Sequence, residues 1–158
     1  MDYEKKIQSL GLTLPPPPKP VATYVPAVRS GDLLFLSGMI PMVDGKMAVV
    51  GKLGKELTVE RGQEVARITL LNALAVVKAA VGSLDQVERI IRIGVHVASA
   101  EGFIQQPAVA NGASDLLVQI FGEAGRHARL ALGAAELPLN APVELEMIVQ
   151  VKSVPASL

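Results

Sequence analysis

The chain has no cysteine and no tryptophan, and aromatic residues fill only 3% of its 158 positions. Without cysteine, disulfides, thiolate metal sites and cysteine nucleophiles are excluded. Scarce aromatics leave an aliphatic core and few platforms on which single-stranded nucleic acid bases would stack. Net charge is missing as well: 15 Lys and Arg balance 15 Asp and Glu, which gives no overall electrostatic footprint for a phosphate backbone. Nucleic acid is therefore disfavoured as a partner. No apolar run approaches the roughly 20 residues needed to cross a bilayer. The Met1–Lys6 stretch lacks the basic-then-apolar order of a secretory signal. A cytoplasmic protein with no membrane partner is the expectation. His96 and His127, the only histidines, share no metal-like spacing with a carboxylate, which predicts no metal site.

What the chain has in abundance is aliphatic surface. Half of its residues are hydrophobic and its mean hydropathy is +0.40. Such a balance predicts that part of the surface meets another subunit. The length suits one domain with its own core, residues 21–158, preceded by an arm, residues 1–20. In that arm Tyr3–Leu10 reads as a short helix stopped by Gly11, and Pro15–Pro20 as an extended polyproline segment. The arm is expected to pack on the domain or on a neighbour.

Tyr24–Val28 and Leu33–Ser37 flank Arg29-Ser30-Gly31-Asp32 and read as a hairpin, with Pro26 placing the first strand at an edge or a bulge. Asp44-Gly45 marks a second turn. Gly51–Lys55 superficially resembles a phosphate loop, but the spacing is wrong and no Ser or Thr follows the lysine. Thr58 is an N-cap for a helix reaching about Ala80, apolar nearly all round from Leu70 onward. Val87–Ala98 reads as a strand burying Ile91, Ile93, Val95 and Val97, with Arg92, Gly94 and His96 opposite. A second helix starts near Pro107 and ends at Gly122. Helices that each follow a strand predict an α+β layer with both helices on one face of the sheet.

The last third of the chain carries the candidate chemistry. Val143–Val151 alternates with period two, placing Val143, Leu145, Met147, Val149 and Val151 on one face and Glu144, Glu146, Ile148 and Gln150 on the other. Arg129–Ala134 reads as a strand beside it, putting Arg129 on the open face with Arg92, His96, Glu144 and Glu146. A guanidinium held on a strand offers a planar fork matched to a carboxylate. Glu144 has the chemistry to orient or deprotonate water. The competing reading is an ion pair between Arg129 and Glu144 or Glu146. Ser37 lies in no nucleophile elbow. Local pattern assigns nothing to Tyr24 or Asn111.

Two stretches, Tyr24–Pro41 and Arg129 through Leu137-Pro138 to Glu146, resemble the N-terminal hairpin and the C-terminal signature of the RidA/YjgF reactive-intermediate deaminases. The likeness runs from about Tyr24 to Val151. It implies a chorismate-mutase-like α+β fold with a mixed sheet, a homotrimer, and a site in each cleft between subunits. It further implies hydrolysis of enamine or imine intermediates, such as 2-aminoacrylate, to 2-oxo acids and ammonia, without metal or organic cofactor. In that scheme Arg129 matches the clamp for the carboxylate of a small metabolite and Glu144 the residue that activates water. Tyr24, Ser37, Gly38, Asn111 and Ala131 fall at or near pocket-lining positions. Leu130, Pro26 and Met39 depart from residues frequent in the deaminases, which leaves the substrate open. Two alternatives stand beside the deaminase: a non-catalytic trimer that binds small metabolites or regulates a partner, and an endoribonuclease or translation inhibitor.

Overall fold

The computed structural model describes residues 2–19 and 23–153. Its elements are α1 (Tyr3–Ser9), β1 (Ala27–Ser30), β2 (Leu33–Leu36), β3 (Met42–Val43), β4 (Lys46–Met47), α2 (Val59–Val81), β5 (Val87–Ala98), α3 (Gln106–Phe121), β6 (Ala128–Ala134) and β7 (Val143–Val151). The main sheet has the order β1-β2-β7-β5-β6. Every pairing in it is antiparallel except β5 with β6. Parallel neighbours need a crossover connection, and α3 supplies it. The period-two pattern of β7 is met residue for residue: Val143, Leu145, Met147, Val149 and Val151 are buried and the residues between them only partly so. That apolar face is covered by α2 and α3, which fulfils the expected α+β layering.

α2 begins where Thr58 Oγ1 accepts from the Arg61 amide at 3.2 Å and ends at Gly82, whose φ of 86° suits a residue without a Cβ. Its apolar circumference is used on several sides. Leu70, Ala73, Leu74, Val76 and Val77 are buried, and Asn72 Nδ2 donates to Met42 O at 2.9 Å, tying the small β3–β4 hairpin to the helix. α1 docks on its own domain. Tyr3 and Ile7 join the core, Tyr3 packs 4.5 Å from the Phe121 ring, and Glu4 pairs with Lys78 at 2.8 Å. Of the expected polyproline segment, Pro15–Lys19 lacks regular structure and Pro20 lies outside the described residues.

Three sequence expectations are corrected. The first hairpin turns at Gly31-Asp32, not over Arg29–Asp32, because Arg29 and Ser30 stay in register with Leu34 and Leu33; Gly31, at φ 59°, takes the left-handed conformation that permits the tighter turn. Ile93, Val95 and Val97 are buried as expected, but Ile91 is only partly buried and Ile90 is the isoleucine that fills the core in its place. A register shift between Ile90 and Arg92 inserts an extra residue and swaps the faces. The strand holding Arg129 is not beside β7, since β5 lies between them.

Candidate functional site

Register decides where the candidate residues point. β5 and β6 pair Ile93 with Arg129, Val95 with Ala131 and His96 with Leu132. Ile93 and Val95 face the helices, so Arg129 and Ala131 do too, while Leu130 and Leu132 join His96 on the open face. The expectation that Arg129 shares a face with Arg92, His96, Glu144 and Glu146 is therefore overturned. Periodicity assigns faces within a strand, but the phase between strands comes from their pairing.

Arg129 sits on an edge strand beside α3. Its Nη1 donates to Asn111 Oδ1 at 2.8 Å and to Ser114 Oγ at 3.1 Å. Among the described residues it has no carboxylate partner, and Nη2 and Nε have no hydrogen-bond acceptor. The ion pair with Glu144 or Glu146 weighed from the sequence is absent; Glu146 instead engages Arg92 at 3.2 Å. Half of the guanidinium fork is held by neutral groups and the other half is open, an arrangement that suits a planar anion. Ala131 lies two residues along the same face, partly buried, and offers no polar atom of its own side chain.

Glu144 lies on the open face, opposite His96 in the β5–β7 ladder. It lines a cleft of about 230 Å³ with Gly38, His96, Leu137 and Glu146. Burial pushes its carboxyl above the ordinary value of 4.5; His96 opposes that shift and the neighbouring charge of Glu146 adds to it. A methyl group at position 38 would overlap Glu144 Oε1, so glycine there gives the carboxylate its room. Gly38 also lines an adjoining, mostly apolar cleft of about 200 Å³ with Tyr24, Pro26, Met39 and Leu139. Ser37 contributes little to either cleft, because its Oγ is committed to Val25 O at 2.7 Å.

The structure thus brings Tyr24, Gly38 and Glu144 into one continuous region and Asn111, Ala131 and Arg129 into another. It does not bring Arg129 and Glu144 together within the chain. Sequence reasoning passed over Ser114, although its place three residues after Asn111 on one helix put both on the same face. It also left His96 and Leu137 unassigned beside Glu144. Among the described residues no cluster of three or more His, Asp or Glu forms a metal cage, and no helix is long and apolar enough to cross a membrane.

A mixed five-stranded sheet backed by two helices, with a glutamate in an open-face cleft and an arginine at the sheet edge, defines an α+β domain with two separate polar regions. Residues 4–150 match the family described as "YjgF/chorismate_mutase-like, putative endoribonuclease", and the chain belongs to that family. Protein TCP17 of Trypanosoma cruzi is 43% identical over 148 residues, covering 93% of this chain and 92% of that protein. A protein of Dermatophagoides farinae named 2-iminobutanoate/2-iminopropanoate deaminase is 30% identical, covering 89% of this chain and 95% of its own length. The crystal structure of Atu1372 from Agrobacterium tumefaciens, a protein of unknown function, superposes with a TM-score of 0.90 at 44% identity, covering 95% of this chain and 92% of that one.

Proposed function

We propose that this protein hydrolyses small 2-imino acids to 2-oxo acids and ammonia in clefts between subunits of a homotrimer, with Arg129 as carboxylate clamp and Glu144 as the group that handles the water proton. The observation that carries the reading is the half-open fork of Arg129, fixed by Asn111 and Ser114 and lacking a carboxylate partner among the described residues. Such a group matches the carboxylate that every 2-imino acid bears.

Two further features support assembly. The Arg129 and Glu144 half-sites occupy different faces of one sheet, so a neighbouring copy is the simplest way to complete each. Phe35, Leu130 and Leu132 are each 40% or more exposed, on the sheet face that also carries His96, Glu144 and Glu146. Their exposure supports a subunit contact on this face.

In the proposed reaction water adds its oxygen to the imine carbon while Glu144 takes a proton and passes it to nitrogen. The hydroxyl proton of the resulting carbinolamine then moves to nitrogen by the same carboxylate, the C–N bond breaks, ammonia leaves, and the carbon retains oxygen as a ketone. A free imine is already electrophilic, so orientation and a proton path account for most of what a protein adds. The raised affinity of Glu144 for protons suits a base that gives its proton back. The deaminase named among the relatives supports the substrate class. The neutral charge balance offers the endoribonuclease alternative no comparable support.

The test generates 2-iminopropanoate in situ and follows its disappearance with wild type and Arg129→Ala. A loss on the order of 10²-fold in kcat/KM is expected for removal of a charge-assisted contact pair. Equal rates would overturn the deaminase reading and leave a ligand-binding trimer in its place.

A further inference from the structure

Behind Arg129 three hydrogen bonds run in series. His127 Nδ1 lies 2.6 Å from Gly125 O. A carbonyl oxygen only accepts, so Nδ1 carries a proton. Burial holds the ring below the ordinary imidazole value of 6.5, with the Gly125 bond opposing and the charge of Arg129 reinforcing the effect. At neutral pH the ring is uncharged and its Nε2 presents a lone pair. Ser114 Oγ lies 3.0 Å from that atom and must donate to it. The lone pairs of the serine oxygen are then left for Arg129 Nη1, 3.1 Å away.

The surroundings keep the ring in this state. Arg89 on β5 and Arg126 beside the ring line the same shallow cavity as His127, with Gln150 of β7 as a neutral neighbour. Arg129 on β6 is the third nearby cation, and Glu123 is engaged by Arg126 at 3.0 Å. Among the described residues no carboxylate hydrogen-bonds the ring, so nothing competes with Ser114 for Nε2. Were the ring's lone pair removed, the serine hydrogen would be free to turn toward the guanidinium, which has only hydrogens to offer.

We propose that His127 and Ser114 are positioning residues for the arginine clamp: the Nδ1–H tautomer of His127 orients the Ser114 hydroxyl, and Ser114 with Asn111 holds Nη1, leaving Nη2 and Nε to grip the carboxylate. This rests on the reading of Arg129 given above. Neither residue touches the ligand, so their effect belongs in affinity and KM, not in the chemical step.

The experiment measures KM and kcat for 2-iminopropanoate and, separately, Kd for pyruvate by calorimetry. It uses wild type, Ser114→Ala, His127→Ala, the double variant and Arg129→Ala, with melting temperature as the check on folding. Ser114→Thr keeps the hydroxyl, and His127→Gln places an acceptor oxygen near the position of Nε2; both serve if an alanine variant fails to fold. Each alanine change is expected to raise KM and Kd roughly two- to tenfold, the cost of one hydrogen bond. The double variant is expected to match the worse single one, because both act through one contact. Thr and Gln are expected to recover most of the loss. Unchanged KM and Kd in folded variants, effects confined to kcat, or multiplicative single effects would overturn the proposal. If Arg129→Ala weakens turnover while Ser114 and His127 changes do nothing, the positioning role alone fails. If wild type shows no turnover but pyruvate binding follows the pattern above, the deaminase reading fails and the positioning role stands.

Discussion

Glu144 is held in surroundings that penalise its charge, and stability therefore depends on its protonation. Its folded-state pKa is raised above the ordinary 4.5, so across the window between the two values the folded chain holds a proton that the unfolded chain releases. Stability falls as pH rises through that window and the penalty is constant above it. Glu144→Gln is expected to raise the melting temperature at pH 7 by a few degrees, with the gap closing below about pH 4. Melting curves that coincide at every pH would mean the carboxylate is as well solvated in the fold as outside it. Sequence pattern named Arg129 and Glu144 as the chemically interesting pair, and the sheet register sets them on opposite faces. What it missed was Ser114 and His127, because a bond between residues 13 apart on different elements leaves no mark in local pattern.

At the scale of elements, two contacts fix the helices against the body of the domain. α3 approaches α2 at Gly112, where a Cβ would overlap Gln63 O and come within 2.7 Å of Gln63 Cα. Backbone cannot move aside as a side-chain tip does. Gly112→Ala is expected to cost about 1–3 kcal/mol in urea denaturation, and to weaken ligand binding because Asn111 and Ser114 ride on the displaced helix. The other contact is α1. Ile7 is 1% exposed within the core, so Ile7→Ala is expected to cost about 2–5 kcal/mol; a helix resting loosely on the surface would give no measurable change. Helix limits were legible from Thr58, Gly82 and Pro107, since caps and breakers act locally. The bulge in β5 was not, because an inserted residue declares itself only against its partner strand.

For the whole molecule, the exposed apolar face predicts association. Light scattering is expected to give three times the chain mass of 16.6 kDa. Leu132→Glu, which places a charge on that face opposite His96 in the ladder, is expected to yield monomers with native secondary structure and an intact melting transition. A monomeric wild type would remove the basis for sites shared between subunits. A Leu132→Glu trimer would place the contact elsewhere on the surface.

The amino-acid sequence by itself determined the elements, the apolar face of β7, the capped helices and the residue types able to grip an acid or handle a proton. These follow from period, propensity and chemistry, which act over a few residues. Only the tertiary structure decided that β5 separates the arginine strand from the glutamate strand and that the two groups look out from opposite faces. Strand order and phase depend on pairings between distant segments, chosen by how a whole sheet buries one side against two helices, and no local stretch carries that information.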